Sequence, residues 1–229
     1  MSDNIISYLD MCRREGAALQ HGMNFRLGGR HSVILMSVRA NAPYRDRIEE
    51  GGTTLIYEGH DMPKSTDCPS PKSVDQPLRT NTGRLTPNGK FFEAALAAKR
   101  GEVIPERVRV YEKIRVGIWA YNGLFHLVDA WTESDGTRKV CRFKLVAIED
   151  ADESGSVVRS SDERRRIIPS AVKLEVWRRD GGKCAICGAT DELHFDHVVP
   201  FSKGGTSLTA ANIQLLCARH NLAKRDRIE

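Results

Sequence analysis

Apolar positions follow two kinds of spacing along the chain: helical near the start and after position 168, and a two-residue alternation through the middle. Ile5, Ile6, Leu9, Ala17 and Leu19 predict a helix over 3–22, followed by a Gly-rich turn, "RLGGRH". "HSVILMSV" (31–38) and "TTLIYEG" (53–59) are rich in β-branched and apolar residues and predict strands. Five prolines between positions 63 and 87 exclude long regular elements from 60–90. "NGKFFEAALAAKRG" predicts a short helix with Phe91, Ala94, Ala95 and Ala98 inward and Gly101 beyond its end. Four alternating runs follow, "RVRVYEKI", "VGIWAYNG", "LFHLVDAWTE" and "RKVCRFKLVAIE". Joined by Asn-Gly and Asp-Gly turns, they predict a curled or barrel-like sheet.

"EDADESGSVVRSSDERRR" (149–166) has almost no large apolar residue and predicts a linker. The expected organisation is a first domain over 1–150, a linker at 151–166 and a small second domain over 167–229. That second domain opens on an amphipathic helix carrying Val172, Val176 and Trp177. The fold class predicted is α+β. No run of about 18 apolar residues occurs, and the start lacks the basic-then-apolar pattern of a secretory signal, so the expectation is a cytoplasmic protein.

Charge sharpens this division. Residues 164–229 hold twelve Lys/Arg against seven Asp/Glu, whereas 1–163 hold 23 of each, so the net +5 resides entirely at the C-terminal end. A positive patch there would attract phosphate chains, although a solvated charged surface explains the count equally well. The cysteines divide similarly: Cys12, Cys68 and Cys141 are isolated, while Cys184-x2-Cys187 and Cys217-x2-His220 form two close pairs separated by twenty-nine residues. Three thiols and an imidazole in two short-spaced pairs are what tetrahedral zinc selects. With all four ligands supplied by protein, the predicted zinc is structural, bracing a domain too small for a thick core.

Between and after these pairs run "LHFDHVVPFSKGGTSLTAANIQLLC" and "HNLAKRD". Cutting a phosphodiester needs a water deprotonated near neutral pH and a cation on the phosphate. His197 suits the base, because imidazole titrates near neutrality, and Asp196 offers a hard oxygen to Mg²⁺ or a similar ion. Neighbouring strand residues face opposite ways, so the two divide these jobs only where a strand ends or bends. Over roughly 170–229 the sequence resembles the HNH nuclease family, the ββα-metal fold. The resemblance implies that Asn221 is a second ligand of the catalytic metal and that Asn212 braces the loop carrying the base. It also implies products with 5′-phosphate ends. Lys224, about one turn beyond Asn221, is expected to meet phosphate. His194 is expected to be an exposed strand residue.

In the front half, "SVDQPLRTNTGRLTPNGKFF" (73–92), "WAYNGLFHLVDAW" (119–131) and "LIYEGHD" (55–61) resemble the SRA, or YDG, family over roughly 20–150, with Tyr121-Asn122-Gly123 at the signature. The resemblance implies recognition of modified cytosine in double-stranded DNA by flipping the base between aromatic faces. Tyr44 and Tyr57 are the candidate rings, Asp46 the candidate acceptor for the cytosine amino group, and Glu58 a further pocket residue. Arg79, Asn81 and Arg84 are candidate backbone contacts. Asp75 and Gln76 are expected to hold their loop together.

The expected whole is an SRA-like curled barrel followed by a zinc-stabilised HNH domain: a modification-dependent restriction endonuclease using structural Zn²⁺ and a catalytic divalent ion. One HNH centre cuts one strand, so double-strand cleavage predicts a homodimer or two independent events. Two alternatives stay open at this stage, a non-cleaving reader of modified DNA and an HNH nickase indifferent to modification.

Overall fold

The computed structural model describes residues 3–49, 53–66, 68–148, 168–200 and 203–224. The expected linker lies outside these residues. The fold is α+β. Its described strands form one ten-stranded sheet whose main path runs β10-β9-β1-β7-β6-β3-β2, with β8, β5 and β4 branching from β7.

The chain opens on β1 (Asp3–Ser7) and α1 (Tyr8–Glu15), not on the single helix expected over 3–22. Ile5 and Ile6 are adjacent β-branched residues, stiff at χ1 and suited to a strand. In β1 they pair with Ala120 and Trp119. Ser7 then closes the strand and caps the helix, its hydroxyl accepting the Asp10 N–H at 3.1 Å. Glu15, in the last turn of α1, is buried. Its carboxylate takes the Tyr111 hydroxyl, His31 at 2.7 Å and Arg109 at 3.2 Å, which fastens α1 to the sheet.

β2 (Met23–Leu27), β3 (His31–Met36), β4 (Arg47–Glu49) and β5 (Thr54–Glu58) follow, then α2 (Pro87–Lys99). Thr86 caps α2 by accepting the Gly89 N–H. Gly89 admits no side chain, since a Cβ there would lie 2.0 Å from the Leu78 carbonyl. β6 (Glu106–Arg115), β7 (Ile118–Ser134) and β8 (Lys139–Ile148) form the antiparallel centre. Phe91 and Ala95 of α2 meet Leu55, Val108, Phe125 and Phe143 in the main core.

β7 corrects the expected turn at Asn122-Gly123. "IWAYNGLFHLVDAWTES" is one seventeen-residue strand. Gly123, at φ 101°, accompanies a register shift against β6 instead of reversing the chain. The side chain of Asn122 is buried and hydrogen-bonded, so it serves the core and not a turn. Asp135-Gly136 does lie in the turn between β7 and β8, where Asp135 accepts the Thr137 and Arg138 N–H groups.

The C-terminal part holds α3 (Ser170–Arg179), β9 (Leu193–His197), β10 (Ile213–Cys217) and α4 (Ala218–Lys224). β9 pairs with β10 on one side and with β1 on the other, so the small part adds its hairpin to the large sheet.

Candidate functional site

Two short turns carry the thiol cluster. Cys184 and Cys187 follow α3, Cys217 ends β10, and His220 lies in the first turn of α4. The four donor atoms lie within 4.8 Å of one another, with His220 Nδ1 3.4 Å from Cys184 Sγ and 3.3 Å from Cys217 Sγ. Burial pushes the Cys184 thiol up, but the backbone N–H groups of Cys217, Cys187 and Ile186 outweigh it, and the net is a value lowered to about 6. Three thiols and an imidazole converging from two turns fit a tetrahedral zinc ion.

Beside the cluster, β9 ends on Asp196 and His197, the strand end that lets neighbouring side chains serve different faces. His197 Nε2 lies 2.9 Å from Ser207 Oγ, and Ser207 is buried. Asn212 closes the intervening loop. Its carbonyl oxygen accepts the Val199 N–H at 2.8 Å, and its amide donates to the carbonyls of Val199 and Thr206 at 3.1 and 2.9 Å. The loop's second glycine, Gly205, allows this closure, because a Cβ there would meet the Val199 carbonyl at 1.8 Å. Arg179, at the end of α3, steadies the segment before β10 by donating to the carbonyls of Ala210 and Ile213, both at 2.7 Å.

Lys224 departs from expectation. It was expected at a phosphate, but its side chain is 1% exposed, and its ammonium sits on the Asp196 carboxylate and the His197 carbonyl. α4 packs along β9, and a lysine drawn into that contact must find a counter-charge. Two hard oxygens therefore converge on one cation. Asn221 is half-buried on α4, next to His220. His194 also corrects its expectation: it is half-buried, opposite Asn4 of β1 and Leu216 of β10, and burial lowers its pKa.

In the front half a cavity of about 670 Å³ opens beside β3 and β5 and is lined by Tyr44, Asp46, Tyr57 and His60, among others. Tyr44 stacks on His60 with ring centroids 5.0 Å apart and planes 9° apart, and Tyr57 packs on the same imidazole with its hydroxyl 2.9 Å from Nε2. His60 belongs to this aromatic group although no periodicity singled it out. Its sole signal was its place three residues after Tyr57. Asp46 is held by the N–H groups of Ser37 and Glu58, both at 3.0 Å. Glu58 is not among the residues lining this cavity. Its carboxylate pairs with Arg142 at 3.0 Å and accepts the Arg45 N–H at 2.8 Å, away from the cavity lining.

Arg79, Asn81 and Arg84 are exposed on a tight bend closed by the Arg79–Leu85 bridge, with Arg79 also reaching Glu93 at 2.7 Å. Asp75 and Gln76 tie their loop to distant strands instead of closing it by local bonds: Asp75 accepts the Lys139 N–H, and Gln76 spans Gly59, Asp61 and Cys141.

Two titrations in the cavity oppose each other. Burial raises Asp46 from 3.8 to about 7, beyond what its two N–H donors offset. Burial lowers His60 from 6.5 to about 4. A raised carboxyl contributes stability below its unfolded value and loses it as pH climbs to about 7. A depressed imidazole contributes above 6.5 and loses it as pH falls to about 4. Each shift corresponds to about 3–4 kcal/mol across its window. Between pH 4 and 6.5 the two nearly cancel. Denaturant melts should therefore show a shallow pH slope for the wild type, stability falling with rising pH in His60→Gln, and stability rising in Asp46→Asn. Equal slopes in all three would refute the pairing.

Residues 184–227 match the HNH endonuclease family. This HNH region contains both the thiol cluster and the Asp196–His197 strand end. No curated protein matches the chain. Solved structures that overlap it in part include the SRA domain of SUVH5 in complex with hemi-methylated CG DNA. That domain is 21% identical, with 65% of this chain and 88% of that chain covered at a TM-score of 0.44. The same domain bound to fully hydroxymethylated CG DNA gives 21% identity, 64% and 88% coverage and a TM-score of 0.44. Arabidopsis thaliana SUVH6 in complex with SAM gives 18% identity, 73% and 27% coverage and a TM-score of 0.41. No helix among the described residues is long and apolar enough to cross a membrane.

Proposed function

We propose that this protein is a modification-dependent DNA endonuclease. The front half flips a modified cytosine, 5-methylcytosine or a relative, into the cavity, and the HNH region hydrolyses a nearby phosphodiester. The observation that carries the nuclease reading is the Asp196–His197 strand end set inside a zinc-type clip, in the segment matched as HNH endonuclease.

On this reading His197 takes the proton of the attacking water, and Ser207 and the Asn212-braced loop hold its ring in place. The oxygens of Asp196 and of the His197 carbonyl, which now share an ammonium, suit a hard divalent ion such as Mg²⁺ or Mn²⁺, with Asn221 from α4 as a further ligand. When bound, that ion supplies positive charge to the phosphate. Taking up that ion would require Lys224 to release the carboxylate.

In the cavity, Tyr44 and Tyr57 offer stacking faces, and His60 vacates the Tyr44 face as the base arrives. Asp46, whose pKa burial raises to about 7, in its protonated form presents both a donor and an acceptor to the N3 and amino edge of cytosine. Arg79, Asn81 and Arg84 are proposed to flank the gap left in the duplex. Double-strand breaks on this scheme take two copies of the chain or two independent events.

One observation favours a second reading, a non-cleaving reader of modified DNA. The Asp196 carboxylate is already neutralised by Lys224, as it would remain in a centre that never takes up a divalent ion. Digestion of methylated and unmethylated plasmid with Mg²⁺ or Mn²⁺ separates these. The expected result is cutting of the methylated form at least tenfold faster. Equal cutting of both removes the specificity, and binding without cutting under either ion favours the second reading.

A further inference from the structure

The two halves share one hydrophobic core. Ile114 of β6 and Ala120 of β7 lie in the same buried cluster as Val172 and Val176 of α3 and Leu193 and Phe195 of the HNH region, with Ile5 and Ile118 packed against it. A part of this size has too little core of its own, and here the front half supplies the rest. The strand order β10-β9-β1-β7 carries hydrogen bonding unbroken from one half into the other.

A charged cluster keys this contact. Lys173 of α3 has 0% side-chain exposure and meets the buried Glu112 of β6 at 3.2 Å and the Asn122 carbonyl oxygen at 2.5 Å. Asn122 also donates to Glu112 at 3.1 Å and to Met36 Sδ at 3.6 Å, and Met36 lines the cavity. One side chain thus touches both the cavity wall and the helix that leads into the HNH region. An apolar contact tolerates sliding. A buried ion pair does not, because a shift of a few ångströms strands both charges away from water. From Lys173 the helix runs to Arg179, which grips the carbonyls of Ala210 and Ile213 on either side of Asn212.

We propose that the cavity and the HNH centre form one rigid body, keyed by Lys173, Glu112 and Asn122 and bridged by β1, so that cleavage falls at a fixed offset from the modified base. This rests on the proposed function, but its physical core does not. Lys173 is a positioning residue: it touches no DNA and sets where the cut falls.

Two measurements test it. In the first, cut positions are mapped on an end-labelled duplex carrying one 5-methylcytosine, using wild type and a variant with ten Gly/Ser residues inserted between Gly155 and Ser156. The same phosphate should be cut by both. The paired substitution Lys173→Met with Glu112→Gln removes both charges together and should spread cutting over neighbouring phosphates. A cut site that moves with the insertion, or stays single in the paired variant, overturns the proposal. The second needs no cleavage. Calorimetry should show one unfolding transition, and Phe195→Leu should shift it as a whole. Two transitions, with only one displaced, overturn the rigid body. Absence of cleavage with a single shifted transition would fault the nuclease reading and leave the shared core standing.

Discussion

His197→Ala is expected to slow DNA cleavage by about 10²–10⁴-fold, the usual contribution of a positioned general base, while DNA affinity changes little. The reason is geometric. The imidazole stands at the end of β9, its Nε2 engaged by a buried serine at 2.9 Å, on a loop that Asn212 ties shut with three hydrogen bonds. Alanine removes the proton acceptor but leaves β9, its pairing with Ile213 and the thiol cluster unchanged. Single-turnover rates on a modified duplex, with affinity measured separately without divalent ion, isolate the chemical step. A loss smaller than tenfold would remove His197 from the role of base. Asn212→Ala should also slow cleavage, because three hydrogen bonds that shape the loop disappear together.

The second large effect is expected from chelating the zinc proposed for the thiol cluster. The binding free energy of a structural zinc is about 10–16 kcal/mol, against a total stability of about 5–15 kcal/mol for a typical domain. Chelation should therefore unfold the C-terminal part outright. Cys184 and Cys217 are themselves buried in the core that contains Ile114 and Ala120, so the loss should spread into β6 and β7. One zinc per chain by elemental analysis, followed by a fall in thermal midpoint on chelation, is the expected result. A chain that purifies without zinc and melts at the same temperature with chelator would sink the assignment. Cys187→Ser gives a cleaner variant than Cys217→Ser, since Cys187 is exposed and its loss takes no apolar packing with it.

The remaining predictions concern the cavity and the join between the halves. The opposed titrations of Asp46 and His60 give a nearly pH-independent wild type whose single variants tilt in opposite directions. The fixed cutting offset depends on the Lys173 cluster.

Much of this architecture was legible in the sequence wherever the information is local. The x2 pairs announce the thiol–imidazole cluster because each pair closes within one turn. The helix at 87–99 follows from its inward Phe and Ala positions and the glycine beyond its end, and most strands follow from alternation. Asp196, His197 and Asn212 lie within seventeen residues, so a compact motif states their proximity. Long-range pairing decided the rest. Asn122-Gly123 has the composition of a turn, yet β6 on one side and β1 and β8 on the other hold it inside a strand. Ile5 and Ile6 fit a helical stripe until β7 offers them a partner. Glu58 and Lys224 are charged, and a linear reading assigns such residues to ligands. Folding instead buries them, and burial forces each onto the nearest opposite charge, Arg142 for one and Asp196 for the other. Local propensity and turn chemistry are written residue by residue. Which polar groups end in the same dry place depends on how distant strands meet, and no stretch of sequence records that by itself.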